Sequence, residues 1–230
     1  MRKFNRKAPI YLPRDEADGV LLLASGRVKI CHVSPEGKQS ILAFIEAGEL
    51  FGELAIFEEG PREEYAEAVE SASVILIPAV EIRRLMAEDP QLSLGITKLI
   101  GLRRQRVERR LKYLLFHSNR ERLVHLLLEL AERYGKPAPA GLDLGIRLSH
   151  QDLGAVIGST RETVSITLGE LQADGFLEIG RRRLVILDLD RLAKSVNMPT
   201  PTIESSAAKQ PTPRRGQIGP SIGSALRHPF

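Results

Sequence analysis

The chain has 230 residues, 43% of them hydrophobic, with 33 Lys and Arg against 29 Asp and Glu, a length that suits two modest domains. No apolar run approaches the roughly 18 residues of a membrane-spanning helix, and the basic start Met1-Arg2-Lys3 is not followed by the apolar core and cleavage site of a secretory signal. The lone cysteine, Cys31, excludes an internal disulfide and a cysteine-built zinc or iron–sulfur site, which fits the reducing cytoplasm.

In residues 10–78, short apolar runs at 20–24, 28–33, 41–45, 54–57 and 74–77 alternate with turn signals such as Ser25-Gly26, Ala47-Gly48 and Gly60-Pro61. Short strands at regular spacing, divided by Gly and Pro, predict an all-β barrel, roll or sandwich. Glu36-Gly37 reads as a hairpin tip. The pair Cys31 and His32 invites a haem-ligand reading, but neighbours in a strand point to opposite faces, and strand packing accounts for both.

After Pro90 the pattern changes. Leu92, Ile96, Leu99, Ile100, Val107, Leu111, Leu114 and Leu115 recur at three- and four-residue spacing, which predicts one long helix over 90–117. Its narrow apolar stripe needs a partner: a second copy of itself in a two-fold dimer, or the β domain of its own chain. Residues 90–117 hold 7 Lys and Arg against 1 acid, whereas 1–89 hold 11 against 16 and 118–197 hold 11 against 11. Bulk charge therefore does not argue for nucleic acid in the C-terminal half.

Ser118-Asn119-Arg120-Glu121 reads as the cap of a further helix running to about Tyr134. Ser149 then opens a short helix with Leu153, Val156 and Ile157 on one face, stopped by Gly158. Thr160 caps a second helix that buries Val164, Leu168 and Leu171. Two short helices across a glycine-containing turn let one brace on phosphates while the other enters the major groove. In the first turn of the second helix, Arg161 can bond two acceptors of one guanine and Glu162 can accept from cytosine. The candidate DNA contacts are Ser149, Gln151, Ser159, Thr160, Arg161, Glu162, Thr163 and Ser165. Arg181, Arg182 and Arg183 join them from a basic turn between two short apolar runs, a wing suited to phosphates. Residues 198–230, rich in Pro, Ser, Gly and Thr, are expected to form a disordered basic tail.

Several of these segments carry a resemblance. Gly26-x-Val28-x-Ile30, Gly48-Glu49-x-Phe51-Gly52-Glu53-Leu54-Ala55, the long helix and residues 148–164 together resemble the CRP/FNR family of bacterial regulators over about residues 10–190. The resemblance implies an α+β chain: a cyclic-nucleotide-binding-like β-roll over 1–89, a dimerisation helix over 90–117 and a winged helix-turn-helix over 118–197. It implies a homodimer that binds palindromic promoter sites on double-stranded DNA and works with RNA polymerase. The helix-turn-helix is most similar to the nitrogen-control (NtcA-like) branch. Only twelve residues precede Pro13, so the family comparison also implies that the roll's first helix and strand are missing or the start codon is misassigned.

In nucleotide-binding relatives a Gly-Glu-Leu segment sets a glutamate on the ribose, and an Arg-Ser pair about ten residues on holds the phosphate. Gly52-Glu53-Leu54 matches the first. Ungapped alignment puts Glu63 and Glu64 at the second, with Arg62 reachable only through a gap. Val107 and Glu108 stand where hydroxyl residues would meet adenine. Carboxylates facing a phosphodiester repel it, so cyclic AMP is not the expected effector. Two replacements stay open. The glutamates at 58, 59, 63, 64, 67 and 70 could pair with the helix cations Arg103, Arg104, Arg106, Arg109, Arg110 and Lys112 and hold a ligand-free active geometry. Alternatively a pocket of Gly52, Glu53, Leu54, Arg62, Arg103 and Arg106 could take an anionic metabolite, with 2-oxoglutarate suggested by the nitrogen-control resemblance. Ile166 occupies the place of a base-contacting arginine in many relatives. No nucleophile–base pair, phosphate loop or metal-ligand spacing argues for an enzyme or a metal site. The reading from a different class is a cyclic-nucleotide-type sensor or scaffold that acts through protein contacts.

Overall fold

The computed structural model describes residues 1–57, 60–180 and 183–203. Eight strands fill the N-terminal half: β1 (Arg2–Phe4), β2 (Pro9–Tyr11), β3 (Gly19–Ser25), β4 (Arg27–Val33), β5 (Gln39–Glu46), β6 (Leu50–Phe51), β7 (Tyr65–Ala68) and β8 (Ala72–Pro78). They form two antiparallel sheets, β1-β8-β3-β6 and β2-β7-β4-β5. Alternation along the strands turns Leu21, Leu23, Val28, Ile30, Ile45 and Phe51 into one shared core. Each such side chain taken from water contributes about 1.5–3 kcal/mol. The β4–β5 hairpin turns through Ser34 and Lys38, and Gly37 there has φ 79.

Three expectations are corrected in this half. Two strands precede the Pro13 turn, with Arg2 opposite Val74 and Pro9 opposite Glu67, where the sequence suggested none. Residues 53–56 are a 3-10 helix rather than part of a strand, because Gly52 turns the chain in the left-handed region at φ 67. A helix the sequence did not suggest, α1 (Ala79–Glu88), follows β8 and packs Ile82 against Val20, Ile56 and Ile96.

The long helix α2 (Pro90–Phe116) begins where Asp89 accepts a hydrogen bond from the Gln91 amide at 2.9 Å, with Pro90 at its first position. Of its 27 residues only Ile96 is buried within the chain. Ser118 and Glu121 form a capping box that starts α3 (Asn119–Tyr134). The remaining elements are β9 (Lys136–Ala138), β10 (Gly141–Asp143), α4 (His150–Ile157), α5 (Arg161–Ala173), β11 (Leu177–Gly180), β12 (Arg183–Ile186) and α6 (Leu189–Lys194), and their strands pair in the order β11-β12-β10-β9. Leu123 and Leu127 of α3 pack with Leu153, Val164, Leu168 and Leu171. No helix among the described residues is long and apolar enough to cross a membrane.

The two halves are docked through β4, which is covered on both faces. Val28 and Ile30 point into the roll. On the opposite face Cys31 joins Ile41 and Phe44 in the helical domain's core, and the Lys29 ammonium lies 2.7 Å from Asp152 of α4 and 3.0 Å from Glu67. Burial pushes the Cys31 thiol up to about 11, while His32 is exposed.

Candidate nucleic-acid interface and effector cavity

Local chemistry fixes the helix-turn-helix. Ser149 accepts from the Asp152 amide at 3.1 Å, and Asp152 accepts from the Ser149 amide at 3.0 Å, closing a capping box on α4. Gly158 ends α4 in the left-handed region at φ 65, and a Cβ there would lie 2.7 Å from Leu114 of α2. The left-handed backbone conformation demands glycine at this turn, while the Leu114 side chain could move aside for a Cβ. Thr160 then accepts from the Thr163 amide at 3.2 Å and starts α5.

The outer side of α5 carries Arg161, Glu162, Ser165, Ile166 and Gly169, all exposed. Hydrogen bonds from its own amide and from Thr160, with Arg161 nearby, hold the Glu162 carboxyl below the usual range, so it stands ionised. Ser165 is tied inward: its hydroxyl donates to the Arg161 carbonyl at 2.9 Å and lies 2.7 Å from His150 Nδ1. Ser149 and Gln151 are exposed at the start of α4, while Ser159 in the turn and Thr163 in α5 are half-buried. Arg183 opens β12 and bonds Asp143 at 2.6 Å. Arg181 and Arg182 lie outside the described residues, as do Glu58, Glu59 and residues 204–230. Lys136 and Arg147, not anticipated from the sequence, line one groove with Arg183. They are 36 residues or more from Arg183 in the chain, and only the pairing of β10 with β12 brings them together.

Between the roll and α2 lies a cavity of about 230 Å³, lined by Gly52, Glu53, Leu54 and Glu64 on one side and by Arg103, Arg106, Arg110 and Arg133 on the other. Arg103 bonds Glu53 at 2.7 Å. Arg110 donates to the Leu42 carbonyl at 2.9 Å and faces Glu129 at 3.6 Å. Arg133 meets Glu46 at 3.0 Å. Arg106 makes no hydrogen bond or ion pair among the described residues. Burial lowers the Arg110 pKa, and neighbouring Arg133 and Arg106 lower it further against the pull of Glu129.

Arg62 is not in this lining. It is buried behind Gly52, donates to the Gly19 carbonyl at 2.8 Å and stacks 4.3 Å from the Tyr11 ring centre. Glu64 faces the cavity while accepting from the Tyr11 hydroxyl at 3.0 Å. The expected pairing between the acidic run and the α2 cations is also corrected among the described residues. Glu67 pairs with Lys29 and Glu70 with Arg27, whereas Arg103, Arg104 and Arg110 pair with Glu53, Glu108 and Glu129. Glu67 on β7 meets Lys29 on the neighbouring strand β4, a pairing across the sheet that two opposite-sign runs in a sequence do not reveal.

Comparison with known proteins gives two family matches: a cyclic nucleotide-binding domain over residues 1–89 and a Crp-like helix-turn-helix domain over residues 121–195. The chain is 27% identical over 191 residues to a CRP-like cAMP-activated global transcriptional regulator of Mycobacterium tuberculosis, covering 83% of this chain and 85% of that one. It is 30% identical over 185 residues to the global nitrogen regulator of Synechocystis, covering 80% and 82%. Among solved structures, a CRP-family transcriptional regulator of Thermus thermophilus superposes with a TM-score of 0.74 at 27% identity, covering 87% of this chain and 98% of that one.

Proposed function

The chain belongs to the CRP/FNR family of DNA-binding transcription regulators, and from that premise we propose that it acts in the cytoplasm as a homodimer that reads two-fold symmetric promoter sites through α5. The observation that carries this reading is the exposed first turn of α5, where Arg161 and ionised Glu162 stand clear of the protein. These two side chains supply the donor fork and the acceptor that distinguish guanine and cytosine edges. Lys136, Arg147 and Arg183 lie beside the wing and suit the flanking phosphates. Dimerisation would use α2, whose Val107, Leu111, Leu115 and Phe116 are exposed in the single chain. RNA polymerase is the partner such a bound dimer would engage. Selection from a random duplex library by the purified protein tests this: an enriched site with two-fold symmetry is expected, and a pool that stays random would overturn the reading.

We further propose that the cavity beside α2 takes a small anionic metabolite rather than cyclic AMP. Glu53, the carboxylate suited to a ribose, is engaged by Arg103. Arg62, the cation a one-residue gap would bring to the family's phosphate position, is committed to Gly19 and Tyr11. Arg106 has no counter-ion among the described residues, and the mutual repulsion felt by Arg110 would be relieved by an anion. Calorimetric titration with 2-oxoglutarate, other small carboxylates and cyclic AMP is expected to give saturable binding of one carboxylate, weakened by Arg106→Ala. Tight cyclic AMP binding would contradict it, and silence from every anion would leave the roll a ligand-free structural element.

A further inference from the structure

Positions 162, 166, 169 and 173 of α5 follow the spacing that aligns side chains along one helical face. That face, Glu162-Ile166-Gly169-Ala173, lies opposite the buried line of Val164, Leu168 and Leu171. It is the stripe a major groove would receive. Glu162 is its only charged member, and Ile166, one turn further on, is 65% exposed. No contact among the described residues buries this large apolar side chain.

Gly169 adds an independent observation. A Cβ at this position would meet nothing within 4 Å, and its φ is not in the left-handed region. Neither packing nor backbone conformation requires glycine, yet glycine inside a helix lowers its stability. Glycine does permit a ligand to approach the backbone closely. The stripe therefore presents an acceptor, then a side chain without donor or acceptor, then a gap.

The major groove offers one apolar group, the C5-methyl of thymine, among edges otherwise made of donors and acceptors. A polar edge beneath Ile166 would lose its water without gaining a hydrogen bond, whereas a methyl would gain contact. Ser165 cannot substitute as the reader at this level, because its hydroxyl is held by Arg161 and His150.

We propose that Ile166 reads a thymine methyl in each half-site and that Gly169 lets α5 seat deeply enough for that contact. Four residues of helix span about 6 Å, so the thymine lies within about two base pairs of the one read by Glu162. The proposal rests on α5 being the recognition helix. An operator selected with the full chain is altered by replacing each thymine of one half-site in turn with deoxyuridine, which deletes only the methyl. Wild-type protein, Ile166→Ala and Gly169→Ala are then compared.

One thymine is expected at which uracil weakens wild-type binding about three- to five-fold, the effect of one buried methyl. Ile166→Ala should bind the thymine and uracil sites within two-fold of each other. Gly169→Ala, with unchanged or raised Tm, should lose affinity for both. If every uracil substitution affects wild type and Ile166→Ala alike, the methyl contact is overturned while sequence-specific binding stands. If no operator can be selected, the underlying reading of α5 fails with it.

Discussion

His125 shows how one buried side chain ties stability to pH at the junction of α2 and α3. Its ring stacks on Tyr113 with centroids 4.1 Å apart and meets His117 edge-on at 5.0 Å. Its Nε2 is buried with no hydrogen-bond partner among the described residues. Burial, then the charge of His117, lowers its pKa against the weaker pull of Glu121, and Arg110 and Arg122 share the same small cavity. The unfolded chain therefore takes up this proton first, near pH 6.5. Stability should fall as pH drops below that value, by at most about 1.4 kcal/mol per unit, and level off below the folded pKa. Thermal unfolding of wild type and His125→Phe between pH 7.5 and 5 measures this. A wild-type slope that the substitution leaves unchanged would assign the dependence to other groups.

At the scale of elements, the parts legible in the sequence are those fixed within a few residues. The caps Ser118, Ser149 and Thr160 and the stop at Gly158 are readable because each satisfies backbone groups in its own turn, and the start of α2 at Pro90 because proline suits the first helical position. Strands β1 and β2 were not readable, since three residues cannot display alternation and Pro9 disfavours a strand reading. The apolar letters of 54–57 read as a strand because only the φ of Gly52 reveals the turn. Arg62 was legible as a cation but not by position, which depends on Gly52 and Tyr11 closing around it. Lys29 and Asp152 stand 123 residues apart, with no local pattern to join them. Gly169→Ala belongs at this scale: with open space around it, alanine should raise thermal stability by about 0.5–1 kcal/mol. A loss of stability would mean that glycine serves the fold itself.

Across the whole molecule, the roll and the helix-turn-helix are joined by an ion network. Burial alone would push Lys29 down, but Asp152 and Glu67 outweigh it and keep the ammonium charged. Burial likewise opposes ionisation of Asp152, and Lys29 and Ser149 outweigh it. Removing one member strands the others in a poorly hydrated interface, so Lys29→Met should cost about 2–3 kcal/mol, below the 3–5 kcal/mol of fully buried pairs because Asp152 retains some exposure. Chemical denaturation reads this directly, and an unchanged midpoint would mean that the docking rests on Cys31, Ile41 and Phe44 alone. If α2 forms the proposed dimer interface, wild type should sediment as a dimer and Leu111→Glu as a monomer with secondary structure intact. A variant that remains dimeric would move the interface away from that helix.

In the proposed regulator Arg161 reads a base rather than merely attracting phosphates. Affinities of wild type and Arg161→Ala for the selected operator and for unrelated duplex, measured at one fixed salt concentration, test it most directly. Arg161→Ala is expected to weaken operator binding by about 1–3 kcal/mol, to relax preference at one base pair per half-site and to leave binding to unrelated duplex nearly unchanged. Equal losses on both duplexes, or no loss on either, would contradict it.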